Sequence, residues 1–455
     1  MLDQGSLHRA EWDRSINKSH AIIYEKSSMP VRNAHFERLL DVLFDQTCIE
    51  NMVSSTIPAK KETETKTLKK CLKSILWHLY RAFSIDQDCY VQISLSSNSY
   101  KVKDELNPHR IPRRIVDVVH RLHEAGIIDM KIGFLDRGVL YGRRTRIRAS
   151  VKFLSELGSL PRPINADPVP PPAILFRDKE TKKPISSNFF MKSTNVTKIT
   201  ELVCSYNDML LGRKITLDGI SGDLAAWENK KGEFTTIDLS KKFISAVVHC
   251  SNDGLGYFRM HGAFWQLMPS GYRHLVRVDG EKTACLDYSS QVLNIAASLN
   301  GYQLPEDAYN IDLGNFFINS IDTKNLIKSA VVIFLNTSDK KSGYGALRSA
   351  LRTTYTNGSF PVRLTNEFFD QVVTHLVYNY PFLEQYLLKN HGHDFFAEDA
   401  EIARSIIQKF LDHDKVVLPI HDGFMVAVSD RDLLHETMHK VWRDRFGTVI
   451  QIKEE

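Results

Sequence analysis

The sequence predicts an α+β chain of more than one domain, and three observations carry that reading. Apolar residues recur at helical spacing over long stretches such as 68–83 and 323–336. Two short apolar runs, 283–287 and 416–422, each end on an aspartate at a strand tip. Between these halves, residues 161–172 hold six prolines in twelve positions, a semi-rigid extended connector.

At 455 residues and 43% apolar composition, the chain has room for two or three cores. Its net charge is only +5, but residues 101–150 carry twelve Lys and Arg against six Asp and Glu. Such a local excess suits a polyanion surface as well as an ordinary solvated face. Six cysteines without a C-x-x-C pair exclude a zinc ribbon and a disulfide scaffold, and fit a reducing compartment. Met1–Lys18 is polar, and no apolar run approaches the ~20 residues of a membrane span. The expectation is a cytoplasmic protein with no membrane partner.

Taken in order, residues 1–60 give one short helix, His35–Phe44, and 57–66 read as a polar loop. Leu68, Leu72, Ile75, Leu76, Leu79 and Phe83 form the inner stripe of a second helix. Ile115, Val118, Val119 and Leu122 form that of a third, stopped by Gly126. Residues 127–134 and 139–147 then read as two strands. Helix followed by a two-stranded hairpin is the order of a winged helix, and arginines mark both parts: Arg110, Arg113 and Arg114, then Arg143, Arg144 and Arg146. These six are the candidate nucleic-acid contacts of a domain spanning 1–160; the same surface also serves a protein partner. Beyond the 161–172 linker, 173–253 reads as mostly helical, and 254–455 carries the chemistry.

That chemistry begins at 254–273, where aromatics and glycines alternate with Arg259, Gln266 and Arg273. The composition suits either a nucleic-acid backbone or a buried aromatic cluster. Asp287, in Leu286-Asp287-Tyr288-Ser289, stands at a strand-to-helix corner, the place of a ligand carboxylate or of a helix cap. Lys324 and Lys328, four apart, project from one face of the 323–336 helix, whose other face is apolar. Finally His421-Asp422-Gly423 lies at the bend between two apolar runs. Two carboxylates on neighbouring strand tips are what two-metal phosphoryl transfer needs.

In this order the motifs, over about 254–430, resemble the palm of the family A DNA polymerases and the related single-subunit phage RNA polymerases. The resemblance implies a right-hand fold: a palm with an antiparallel sheet, short helical fingers, and a helical thumb-like region at 173–253, behind the winged-helix-like domain. Asp287 and Asp422 would be the metal ligands, for two Mg²⁺ ions or Mn²⁺. Lys328, with the two aspartates, would be catalytic. Lys324, Lys328, Asn336, Tyr288 and Val292 would line the nucleoside triphosphate. Arg259, Gln266 and His421 would hold primer and template. The chain departs from the family at three points. Asn336-Thr337 stands where Tyr or Phe and then Gly are usual, Val292 replaces the glutamate of the sugar gate, and Gly423 follows His421-Asp422 where an acid is usual. The implied activity is template-directed DNA synthesis by a divergent, phage- or mobile-element-like enzyme. RNA synthesis, template-independent tailing, and a non-catalytic DNA-binding replication initiator or regulator are the alternatives.

Overall fold

Apolar spacing, caps and turn residues resolve into a mixed α+β chain in a computed structural model. It describes residues 21–103, 106–136, 141–162, 164–179, 181, 184–185, 193–220, 224–228, 234–251, 254–314, 320–355, 360, 362–420 and 422–454. The N-terminal part runs β1 (Ala21–Ile23), α1 (Ala34–Gln46), α2 (Pro58–Ile85), β2 (Tyr90–Ile93), α3 (Ile115–Glu124), β3 (Ile128–Lys131), β4 (Phe134–Asp136), β5 (Tyr141–Arg143), β6 (Thr145–Ala149) and α4 (Val151–Gly158). After the prolines come β7 (Ile174–Asp178), α5 (Thr194–Leu211), β8 (Ile215–Leu217), β9 (Leu224–Glu228), β10 (Phe234–Asp238), β11 (Ser245–Ser251), β12 (Gly254–His261), β13 (Val276–Val278) and β14 (Glu281–Tyr288). The chain continues with α6 (Gln291–Leu299), α7 (Ser320–Leu335), α8 (Lys340–Thr354), α9 (Asn366–Asn379), α10 (Gly392–Asp412), β15 (Leu418–Ile420), β16 (Gly423–Ala427), α11 (Arg431–Phe446) and β17 (Ile452–Glu454).

These elements divide into two units that are discontinuous in sequence. The first holds the chain up to Pro172 together with Thr216–Phe243 and Gly262–Ser270. The second holds Ala173–Ile215, Ile244–His261 and Gly271–Glu455. A first division therefore falls at the end of the proline-rich stretch, and the chain then returns twice to the first unit.

In the first unit, α1 starts where the Asn33 side chain accepts from the amides of His35 and Phe36. The 28-residue α2 is the spine, with Leu72, Ile75 and Trp77 fully buried. Residues 57–66, expected as a loop, are instead its exposed first turns. Pro58 fits the first helical position, and Lys66 pairs with Glu62 one turn back at 2.6 Å. Helix α3 ends before Gly126, whose φ of 69° is the left-handed stop. A four-stranded sheet follows the order β1-β2-β6-β3, with β3 and β6 antiparallel. Strands β4 and β5 continue that hairpin as a separate ribbon. The expected pair of strands after α3 is thus present in two segments, and the tip, 137–140, lies outside the described residues. Near the break, a Cβ on Gly133 would stand 2.3 Å from the Arg143 carbonyl oxygen, so the backbones approach too closely for another residue.

The second unit carries a three-stranded sheet, β12-β11-β7, and a sheet in which β15, β16, β14 and β13 follow in hydrogen-bonded order, with β17 also on β14. Residues 173–253 are not mainly helical as expected: α5 is the one α-helix there among the described residues. β-Branched and aromatic runs such as Phe234–Asp238 form strands instead. No helix among the described residues is long and apolar enough to cross a membrane.

Candidate functional site

Strand β14 delivers Asp287 to its end. The strand is buried through Ala284, Cys285 and Leu286, and its antiparallel neighbour β16 places Gly423 opposite Asp287. Asp422 immediately precedes Gly423, in the two-residue turn that joins β15 to β16, and is exposed. Asp287 thus ends β14, and Asp422 lies in the turn that leads into β16 beside it. Gly423 makes the approach possible. A Cβ there would stand 3.0 Å from the Leu286 carbonyl oxygen and 3.4 Å from Asp287 Oδ1, so the missing side chain leaves room for the carboxylate. The turn's other residue, His421, lies outside the described residues.

After β14 the chain turns through Ser290, held at φ 50°, into α6. The first residue of that helix, Gln291, donates from Nε2 to Asp399 Oδ1 on α10 at 3.1 Å. Arg259 on β12 approaches the same carboxylate at 3.7 Å and lies 4.1 Å from the centroid of Phe396, one turn earlier on α10. Asp399 is a third acid at this end of the sheet. Burial raises its carboxyl to about 6; Arg259 and Gln291 pull it down, and the Asp422 charge pushes it up. Nothing in the local sequence, Ala397-Glu398-Asp399-Ala400-Glu401, separates this acid from its neighbours.

Tyr309 is a second site residue that sequence reasoning does not find. It is buried, its hydroxyl bonds to Ser290, and burial, with a smaller push from Asp422, drives its phenol up to about 12. The Tyr380 hydroxyl donates to the carbonyl of Ala308 at 2.8 Å, and Asp307 pairs with Lys324 Nζ at 2.8 Å. The segment 307–309 thus links the carboxylate turn to α7. Lys328, one turn after Lys324, is exposed and has no ion pair among the described residues.

Other expected residues sit elsewhere. Tyr288 is corrected from a nucleotide contact to a core anchor: it is 1% exposed, its hydroxyl donates to the Met438 carbonyl at 2.8 Å, and its ring packs on Trp442. Val292 is half-buried in the first turn of α6. Asn336, just past α7, donates to the Val332 carbonyl, and Gly392 packs so closely on its amide that a Cβ would clash at 2.0 Å. Gln266 belongs to the first unit and is 8% exposed, beside the fully buried Phe264 and Trp265.

The arginines of the first unit divide in two. Arg114 donates to the Met52 carbonyl at 2.6 Å and lies 3.7 Å from Asp117; Arg146 is 6% exposed on β6, and Arg143 is half-buried. Arg110, Arg113 and Arg144 are exposed.

Among the described residues, no three His, Cys, Asp or Glu side chains form a group that could hold a metal ion. The two aspartates at this end of the sheet, Asp287 and Asp422, are the residues that would hold a metal, and a carboxylate pair would suit Mg²⁺ or Mn²⁺. Such ions take one or two carboxylates, keep several waters and share substrate phosphates, rather than requiring an all-protein cage. The space opposite Asp287, free of a side chain at Gly423, agrees with that. Comparison with family models and with curated proteins finds no match for this chain.

Proposed function

We propose that the protein is a metal-dependent nucleotidyltransferase that joins nucleoside triphosphates to a primer 3′-hydroxyl on a nucleic-acid template, with a palm-like second unit and a winged-helix-like first unit. The observation that supports it is the register of β14 against β16, which sets Gly423, the residue after Asp422, opposite Asp287. DNA synthesis leads; RNA synthesis and untemplated tailing use the same constellation.

In the reaction the primer 3′-hydroxyl gives its proton to solvent water as its oxygen attacks the α-phosphorus, a P–O bond forms, the α–β bridge breaks and pyrophosphate leaves with its electron pair. Mg²⁺ held by Asp287 and Asp422 would supply charge neutralisation on the triphosphate and acidify the 3′-hydroxyl. Lys328 offers the leaving pyrophosphate a positive charge and a proton. Lys324 adds a second cation from the same helical face. Arg259, over Phe396 and near Asp399, would be the residue that meets the primer-template backbone.

Purified protein with Mg²⁺ is expected to extend a labelled primer. Asp287→Asn or Asp422→Asn removes several kcal/mol of transition-state stabilisation, a loss of about a hundredfold or more. Extension that survives both substitutions would sink the assignment.

A further inference from the structure

Lys324 already has a partner: its ammonium holds the carboxylate of Asp307 at 2.8 Å. We propose that Asp307 stands in for a phosphate of the incoming triphosphate, occupying Lys324 until a nucleoside triphosphate displaces it. The inference rests on the nucleotidyltransferase reading and names a regulatory contact within the same site.

Three features set this pair apart from an ordinary surface ion pair. First, Lys324 shares its helical face with Lys328, so the face presents two cations to one anion, and a polyphosphate would satisfy both. Second, Asp307 is held by the two residues that follow it. Ala308 is pinned by the Tyr380 hydroxyl, and Tyr309 is buried with its own hydroxyl on Ser290, directly after the Asp287 strand. A carboxylate on a free loop would exchange Lys324 for water; this one is presented to it. Third, both partners remain about half exposed, at 46% and 51%, so a ligand reaches them without unfolding anything. The competition has a defined sign. One carboxylate in high dielectric binds an ammonium weakly, while a triphosphate carries several charges on neighbouring oxygens and wins. Asp307 thus lowers affinity by the same factor for every anion that must take Lys324, and a triphosphate, with several charges, still displaces it.

The test is calorimetric binding of inorganic tripolyphosphate and of a nucleoside triphosphate, with Mg²⁺, to the full-length chain. Removing the competing charge in Asp307→Asn is expected to tighten tripolyphosphate binding by about twofold to fivefold, the range of an exposed ion pair. Asp307→Ser removes the same charge and carries the same expectation, while Asp307→Glu retains the wild-type affinity. In a Lys324→Ala background the Asn substitution has no further effect. Unchanged or weaker binding by both neutral variants overturns the inference, as does equal tightening in the absence of Lys324. A wild-type chain that binds neither probe removes the nucleotidyltransferase reading as well. A wild type that binds both, with no response at Asp307, removes this inference alone.

Discussion

Asp399 ties the site to pH. Its folded-state carboxyl, at about 6, lies above the ordinary carboxylate value, because burial outweighs the help of Arg259 and Gln291. The folded protein therefore holds that proton more tightly than the unfolded chain does. Its contribution to stability is fully present below the unfolded value near pH 4, falls as pH rises towards 6, and is constant beyond. Urea denaturation of the wild type is expected to lose midpoint between pH 4 and 6 relative to Asp399→Asn; parallel profiles would refute this environment for the carboxyl. Gly423→Ala tests the other side of the site. The new methyl meets the Leu286 carbonyl at 3.0 Å, so we expect roughly 1–3 kcal/mol of destabilisation from overpacking, with a larger fractional loss of primer extension. Asp287 and Asp422 are legible in the sequence because each ends an apolar run that can only be a strand. Asp399, Gln291 and Tyr309 are not. Asp399 sits among acids on a helix and acquires meaning only from Gln291 and Arg259, more than a hundred positions away, while Tyr309 lies in a loop without period and is placed by Ser290 and the Asp422 charge.

Helix α2 shows what element-level patterning captures and what it misses. Its apolar stripe predicts the buried half, whereas the charged first turns read as a loop because they bury nothing. The same helix carries Arg81, 3% exposed, which pairs with Asp238 of β10 at 2.5 Å, donates to Ser28 Oγ at 3.1 Å and lies over Trp77. Asp238 answers the opposing pull of burial and Arg81 with a carboxyl held below its usual range. No sequence pattern announces an ion pair 157 positions apart. Arg81→Ala leaves Asp238 buried and uncompensated, and we expect a loss of about 3–5 kcal/mol in chemical denaturation. The exposed arginines before α3 and beside β6 offer the complementary case. Charge reversal at the exposed Arg110, Arg113 and Arg144 is expected to weaken nucleic-acid binding and lower its salt slope by about one for each phosphate no longer neutralised. An unchanged slope would count against a nucleic-acid role for that surface. Arg146, paired with Gln92 and Lys131 across the sheet and only 6% exposed, is too buried to serve as a probe of binding.

At the scale of the molecule, the sequence shows where the chain first divides but not that it returns. Prolines at 161–172 mark an extended connector by composition alone. The segments Thr216–Phe243 and Gly262–Ser270 carry no mark that they complete the first unit. A fragment ending at Pro172 contains Arg81 but neither Asp238 nor Lys241, the partner of Glu25. We expect it to melt well below the intact first unit and to bind a hydrophobic dye. A fragment as stable as the unit in the full chain would contradict this division.

The same discontinuity has a consequence for synthesis. The N-terminal residues leave the ribosome with a charged side chain already committed to the interior of α2, and its counter-ion has not yet been translated. Between Pro172 and Ser270 lie 98 positions. At typical elongation rates that is a wait of roughly 5–20 s before the first unit can close. For that interval the nascent chain must shelter an incomplete core, so the amino-terminal half of this protein is a natural client for whatever holds unfinished chains.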